Sequence, residues 1–237
     1  MEVQKIFKRY ELKFIMNDEQ RNRLLEIMKK YMKEDEYGES TIRSIYFDTD
    51  SFRIIRKTLE KPAYREKLRI RSYIKANSES DVFVELKKKY KSVVYKRRVI
   101  MKEKDAMNYL CNGNVSPIKN QITNEIDYFK SYYENLRPSV MISYDRVAFY
   151  GIDDRDLRIT FDKNIMWRDF DLSLCSDVYG RKILDDNKTL MEVKTTGAMP
   201  IWLVEFLSFE KIYKCRFSKY KNAYYDMCEK NEKMKVS

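Results

Sequence analysis

Two neighbouring stretches of this chain, Glu66–Tyr73 and Val82–Lys89, alternate between charged and apolar residues with a period of two. Successive side chains of a β-strand point to opposite faces, so the alternation predicts two strands that each have one charged and one apolar surface. Lys67, Arg69 and Arg71 share a face of the first strand. Taken alone, such a strand is most simply explained as part of a half-buried sheet with its charged face in water.

The same pattern recurs along the chain, and recurrence changes its meaning. If these strands close into a barrel with the charged faces inward, they line a tunnel with Arg and Lys and a few carboxylates. Such a cavity suits a polyanion chelated to a metal ion. The groups that share a predicted strand face are Glu11 with Lys13, Glu85 with Lys87, Lys96 with Arg98, Tyr144 with Arg146, Arg158 with Thr160 and Asp162, and Glu192 with Lys194.

Composition indicates a globular protein with an anionic partner. The chain has 237 residues, of which 43% are hydrophobic and 36% charged, and we expect one large domain over residues 1–237. Its formal net charge of +11 predicts binding to phosphate esters, nucleic acid or a membrane surface. The basic residues occupy alternating strand positions and form no groove with interleaved aromatic residues, so we expect no nucleic-acid partner.

Several chemistries are excluded by what the sequence lacks. It contains no His, which removes serine-triad hydrolysis, cysteine–histidine proteolysis and histidine metal centres. It contains neither a P-loop nor a Rossmann glycine motif. The four cysteines have no spacing typical of zinc or redox sites, and we expect reduced thiols. The N-terminus lacks the apolar region of a signal peptide, and no run approaches the about 18 apolar residues of a membrane span, which favours a cytoplasmic protein.

The order of elements predicts an α+β fold with a mainly antiparallel sheet and surrounding helices. Asn17 is a predicted N-cap of the first helix. The predicted strands are 8–16, 41–48, 66–73, 82–89, 92–101, 141–150, 156–162 and 189–195, and the predicted helices are 18–33, 51–58, 102–110, 116–135, 200–209 and 218–230.

An ordered set of short motifs resembles a known family over nearly the whole chain. The chain looks like a VTC domain, the polyphosphate polymerase domain of the triphosphate tunnel metalloenzyme superfamily, which includes the CYTH-type hydrolases. No single motif decides the resemblance, but their order is specific. The motifs are Tyr10–Phe14, Ser44–Thr49, Lys67–Arg71, Val82–Lys87, Tyr144–Phe149, Leu157–Asp162, Leu190–Lys194 and Phe217–Tyr220.

The resemblance implies an antiparallel barrel whose lumen holds a triphosphate and a divalent metal ion, Mn²⁺ or Mg²⁺. It implies that Tyr144 hydrogen-bonds a phosphate, and that Glu192 is the principal metal ligand with Lys194 beside it. Ser218 and Lys219 would close one end of the tunnel. The implied tunnel cations are Lys13, Arg69, Arg71, Lys87, Arg98, Arg146 and Arg158.

Other charged residues of the same strand faces join the candidate site. Lys67 and Lys96 are candidate phosphate-binding residues. Glu11 and Glu85 are candidate metal ligands, and salt bridges to neighbouring Lys and Arg are the alternative for both and for Glu192. One departure bears on the reaction: CYTH-type hydrolases begin with E-x-E-x-K, and here Arg9 replaces the first Glu. The missing carboxylate favours a polymerase over a two-metal triphosphatase.

Three functions remain open on these grounds. The first is a metal-dependent polymerase that transfers the γ-phosphate of ATP to polyphosphate and releases ADP. The second is an inorganic triphosphatase or nucleoside triphosphate hydrolase, and the third is a non-catalytic polyphosphate-binding module. The expected partners are ATP, triphosphate or polyphosphate. The absence of regulatory and membrane regions in a stand-alone domain favours a bacterial protein, and an association with a membrane protein is left open.

Overall fold

The computed structural model describes residues 10–91 and 93–236, without the side chains of residues 231–236. The predicted strand start at Lys8 and Arg9, and the predicted strand residue Ser92, lie outside the described residues. In chain order the elements are β1 (Tyr10–Asn17), α1 (Asp18–Met28), β2 (Met32–Glu34), β3 (Ser40–Asp48), α2 (Arg53–Leu59), β4 (Tyr64–Ser72), β5 (Asp81–Tyr90), β6 (Val93–Lys102), α3 (Glu103–Cys111), α4 (Gln121–Tyr132), β7 (Arg137–Gly151), β8 (Arg158–Arg168), β9 (Arg181–Lys182), β10 (Lys188–Thr195), α5 (Ile201–Phe209) and α6 (Lys219–Val236).

The chain divides into two compact units. The first consists of residues 10–40, 144–165 and 184–217, and its strands follow the order β1-β10-β8-β7, with β2 paired to β7. The second consists of residues 41–143, 166–183 and 218–236, and its strands follow the order β7-β3-β4-β5-β6, with β9 paired to β8. Strands β7 and β8 contribute to both units. Among the described strands, the strand order within each unit has two ends, so the described part of each unit does not close into a barrel by itself. The prediction of one large domain stays a prediction.

The apolar strand faces predicted from the alternation form the two cores. In the second unit Leu68, Ile70 and Val84 are buried under α3 and α4, which contribute Tyr109 and Phe129. In the first unit the opposite partners Leu12↔Val193 and Phe14↔Met191 belong to a core that α1 and α5 cover. Burial of each large apolar side chain stabilises the fold by about 1.5–3 kcal/mol. The charged faces of the same strands therefore lie away from these two cores.

The α+β class and the mainly antiparallel sheet are confirmed, and the ladders described for both units are antiparallel. Asn17 is the N-cap of α1. Its Oδ1 accepts from the Gln20 N–H at 2.8 Å, and the Gln20 Oε1 accepts from the Asn17 N–H at 3.0 Å.

Some predicted boundaries were wrong. The helix expected over residues 18–33 ends at Met28, because Met32–Glu34 pairs as β2 with Phe149–Gly151. The helix expected from residue 116 begins at Gln121, where Asn120 caps it by accepting from the Thr123 N–H at 3.0 Å. Strand β8 continues to Arg168, six residues beyond its predicted end at Asp162.

Candidate functional site

The polar face of the second unit consists of rows of side chains that the strand register aligns. One row runs from Tyr46 through Arg69 and Glu85 to Arg98. On one side of it lies the row Lys67, Lys87 and Lys96, and on the other the row that begins with Ser44 and Arg71. These rows bring six cations and one carboxylate to one surface. Like charges directly opposite on neighbouring strands repel, so this surface is suited to an anionic ligand.

Glu85 is the centre of this polar face. Its carboxylate is 1% exposed and lies 2.6 Å from Arg69 Nη2, 2.6 Å from Lys96 Nζ and 4.0 Å from Arg71 Nε. Burial alone would raise the pKa of Glu85, but the charges of Arg69 and Arg71 and the contact with Lys96 outweigh burial and lower the pKa to about 2. Glu85 is therefore ionised at neutral pH and holds three cations in place.

Two tyrosines connect this face to the start of α6. Arg69 Nη1 donates to Tyr46 Oη at 2.9 Å, and the Tyr46 ring stacks on Tyr220 with centroids 4.8 Å apart. The Tyr220 hydroxyl donates to Asp48 Oδ2 at 2.8 Å. Residues 218 and 219 directly precede Tyr220, and Lys67 Nζ lies 3.5 Å from Ser218 Oγ. Ser218, one of the two residues predicted to close the tunnel, thus lies beside Lys67 of β4.

The polar face of the first unit has a mixed arrangement of charge. Glu11 lies opposite Lys194, and Lys13 lies opposite Glu192. On its other side Lys194 lies opposite Arg158 of β8. Alternating signs in neighbouring positions attract across the strands, so this surface is less strongly cationic than that of the second unit.

Glu192 is a nearly buried carboxylate on the polar face of the first unit. Its side chain is 9% exposed, with Lys194 Nζ at 3.1 Å from Oε1 and Arg146 Nη2 at 3.9 Å from Oε2. Arg146 forms a bidentate salt bridge with Asp162, in which Nε donates to Oδ1 at 2.6 Å and Nη2 donates to Oδ2 at 2.7 Å. The guanidinium carbon of Arg146 lies 5.1 Å from the centroid of the Tyr144 ring. Burial opposes the charge of Arg146, but Tyr144 and Asp162 outweigh it and raise the pKa of Arg146. This cation is therefore permanently charged and held in one orientation.

The remaining cations of the first unit differ in accessibility. The side chain of Lys13 is 23% exposed; it pairs with Glu11 at 3.1 Å and donates to the Phe217 carbonyl at 3.1 Å. Arg158 is 47% exposed, pairs with Asp35 and lines a small open pocket of about 180 Å³ with Asp35, Tyr150 and Arg155. Arg158 is thus more solvent-accessible than Arg69, Arg71 and Arg146, whose side chains are 8–17% exposed.

The carboxylates of the candidate site offer oxygen ligands of the kind that a hard divalent ion prefers. Among the residues that the structure describes, no three His, Cys, Asp or Glu side chains are grouped so as to hold a metal. Mg²⁺ commonly uses one or two carboxylates, with phosphate oxygens and waters completing its shell. Glu192 can supply one such ligand. Glu85 is enclosed by three cations, which favours its salt-bridge alternative over the metal one.

The structure divides the predicted site residues between two faces. Sequence reasoning treated Tyr46 and Asp48 as structural residues outside the candidate site, and it noted Asp162 only as part of an alternation. All three lie on predicted strands in line with site cations, which is the signal that identifies them. The second unit holds Lys67, Arg69, Arg71, Glu85, Lys87, Lys96, Arg98, Ser218 and Lys219, and the first holds Glu11, Lys13, Tyr144, Arg146, Arg158, Glu192 and Lys194.

The fold and the strand faces define the class of this protein: an α+β protein whose antiparallel strands align Arg and Lys side chains on one face. The family model of the VTC domain matches residues 8–228. This chain therefore belongs to the VTC domain family, as its motifs predicted.

Solved structures support the same fold at low sequence identity. A candidate adenylyl cyclase from Hippeastrum, described as having a dominant triphosphatase activity, superposes with a TM-score of 0.57 at 13% identity, over 89% of this chain and 92% of that one. A candidate adenylate cyclase from Bacillus halodurans superposes with a TM-score of 0.55 at 15% identity, over 89% of this chain and 95% of that one. These superpositions show that the chain shares the fold of both structures.

No helix within the part of the chain that the structure describes is both long and apolar enough to cross a bilayer. The four cysteines are free thiols.

Proposed function

We propose that this protein is a metal-dependent phosphoryl-transfer enzyme that transfers the γ-phosphate of ATP to a polyphosphate chain and releases ADP. The observation that carries the proposal is the polar face of the second unit, where aligned strands place six cations around the Glu85 carboxylate. Phosphoryl transfer requires in-line placement of the reacting oxygens and neutralisation of charge on the transferred group. Arginines supply paired, permanently charged donors for phosphate oxygens, and lysines supply point charges.

The chain's own residues divide this work. Arg69 and Arg71 are held in fixed orientations by Glu85, and we assign them to the phosphates of the bound chain, with Lys67, Lys87, Lys96 and Arg98 neutralising its length. Tyr144 and Arg146 bind phosphate oxygens in the first unit, together with Lys13, Arg158 and Lys194. Ser218 and Lys219 contact the phosphates at one end of the bound chain. Glu192, with Glu11 as a further candidate, provides carboxylate oxygen for Mn²⁺ or Mg²⁺.

When bound, the metal ion supplies charge neutralisation and Lewis-acid polarisation at the phosphates. The attacking group needs no histidine, because terminal phosphate oxygens are already largely anionic at neutral pH. The absence of His from the sequence is consistent with this kind of attack.

A triphosphatase is the second candidate. The Hippeastrum structure, which shares the fold, is described as having a dominant triphosphatase activity. Water would then replace the polyphosphate terminus as the attacking group. The same two faces would also support binding without turnover, which is the third candidate.

The test is incubation of the purified protein with ATP and Mn²⁺, with products resolved on a gel that separates polyphosphate chain lengths. Long chains together with ADP are the expected result, and phosphate alone would establish a hydrolase instead. Retained tripolyphosphate binding with neither product would establish a binding module.

Variants connect the products to the site. Glu192→Gln is expected to abolish turnover while retaining most polyphosphate binding, and Arg69→Ala to lose both. Lys104→Ala is the matched control, because it removes a half-exposed cation that pairs with Glu79 away from the polar face. Equal loss in the control would contradict the assignment. The cytoplasmic location and bacterial origin remain predictions.

A further inference from the structure

Tyr46, which sequence reasoning treated as a structural residue, is a buried phenol on the polar face of the second unit. Its side chain lies opposite Arg69 in the strand register and is 8% exposed. The hydroxyl oxygen accepts a hydrogen bond from Arg69 Nη1 at 2.9 Å, and the Arg69 guanidinium carbon lies 5.7 Å from the ring centroid. The ring is held by its stack on Tyr220. The hydroxyl is therefore fixed among groups that would bind phosphate.

The charges around this hydroxyl favour its ionised form. Burial alone would raise the pKa of Tyr46, but the charges of Arg69, Arg71 and Lys67 outweigh burial and lower the pKa to about 7. A phenolate at this position serves Arg69 as a counter-ion. A bound polyanion would compete for the same cations, and the reason for the phenolate to stay ionised would then be lost.

We propose that Tyr46 is a proton-linked anion-binding residue: when a polyphosphate chain binds Arg69 and its neighbours, the Tyr46 phenolate takes up a proton from solvent and the resulting phenol donates to a phosphate oxygen. One O–H bond forms and none breaks in the protein, so the chain gains one positive charge as the anion binds. This inference rests on the proposed function for the identity of the anion.

The other ionisable groups near Tyr46 are consistent with this assignment. Tyr220 packs on the Tyr46 ring from α6, but burial and the charge of Asp48 raise the pKa of Tyr220, so it stays protonated. The part of β7 that belongs to this unit carries one charged residue, Arg137, which pairs with Asp50. The charged groups that share the polar face are Lys67, Arg69 and Arg71 from β4, Glu85 and Lys87 from β5, and Lys96 and Arg98 from β6. Asp48 of β3 is fully buried and accepts from the Tyr220 hydroxyl.

The first experiment uses the unmodified protein and inorganic tripolyphosphate without metal. At one pH unit above the pKa of about 7, the ultraviolet absorbance of phenolate is recorded as tripolyphosphate is added. We expect saturable loss of one phenolate, with the same midpoint as binding measured by calorimetry. Binding with no change in phenolate absorbance would overturn the proposal while leaving the proposed function intact. A protein that binds no tripolyphosphate either without metal or with Mg²⁺ would overturn both.

The second experiment separates Tyr46 from the other titrating groups. Tripolyphosphate affinity is measured from below to above neutral pH for the wild type, Tyr46→Phe and Tyr220→Phe. Above the pKa, the wild-type affinity is expected to fall by up to about tenfold per pH unit relative to Tyr46→Phe. Tyr220→Phe, which alters the stacking partner and not the titrating phenol, should follow the wild type. Equal pH dependence in the wild type and Tyr46→Phe would refute the linkage.

Discussion

At the scale of single residues, Glu85 decides how the cation-rich face is held together without ligand. Three cations lie within 4.0 Å of this nearly buried carboxylate. Removing its charge is expected to destabilise the fold, because the cations would remain without their counter-ion. Glu85→Gln is expected to lower the free energy of unfolding at neutral pH by about 3 kcal/mol or more. Urea unfolding measures this change. The exposed pair Lys104–Glu79 is the control, and Glu79→Gln should leave stability nearly unchanged, because water and salt screen an exposed pair.

The same residue predicts a pH dependence. The pKa of Glu85 is lowered in the folded state, so its stabilisation is complete above the ordinary value of 4.5 and is lost as pH falls towards about 2. The difference in unfolding free energy between the wild type and Glu85→Gln should therefore shrink as pH falls through this window. Unfolding curves at a series of acidic pH values check it. A difference that stays constant would place the stabilisation elsewhere.

At the scale of elements, Asp48 joins β3, α2 and α6. Its buried carboxylate accepts from the backbone N–H groups of Thr49, Ile54 and Ile55 at 2.8–3.0 Å, and from the Tyr220 hydroxyl. Asp48→Ala leaves several buried donors unsatisfied, each costing about 1–3 kcal/mol. Tyr220→Phe removes one hydrogen bond, and it should cost about 1 kcal/mol. Chemical denaturation compares the two variants, and equal losses would contradict this account of the junction.

The elements also show what the sequence could predict. Period-two alternation was sufficient for β4 and β5 and for the faces of Arg69 and Glu85, because side-chain direction is a local property of a strand. The pairing of Glu85 with Lys96 depends on the register between strands, which no single strand specifies. Strand β2 was missed for the same reason: its pairing with β7 joins residues more than a hundred positions apart. The cap at Asn120 was a local signal that could have been read.

At the scale of the whole molecule, the net charge of +11 predicts that electrostatics govern ligand affinity. Binding of tripolyphosphate should weaken steeply as NaCl is raised, because salt screens the exposed cations. Binding of monovalent anions should be far weaker at every salt concentration. Calorimetry at several ionic strengths checks both expectations. An affinity that does not depend on salt would mean that neutral hydrogen bonds dominate.

Ligand binding should also stabilise the fold. An anion that binds only the folded state adds about 2.7 kcal/mol when its free concentration is 100 times the dissociation constant. The thermal midpoint should therefore rise with tripolyphosphate, and less with NaCl at equal ionic strength. Arg69→Ala should reduce the rise, and Lys104→Ala should not. An equal rise of the thermal midpoint in both variants would mean that tripolyphosphate binds away from the polar face of the second unit.

Each of these strands contributes to both a core and a polar face, and this limits how the sequence can change in length. Strand β5 places Val84 and Leu86 in the core and Glu85 and Lys87 on the polar face. Deleting one codon within it would exchange the two faces for every residue beyond the deletion, so core and ligand site would fail together. Insertions and deletions should therefore accumulate between strands, as in residues 73–80, while substitutions alone adjust the strands themselves.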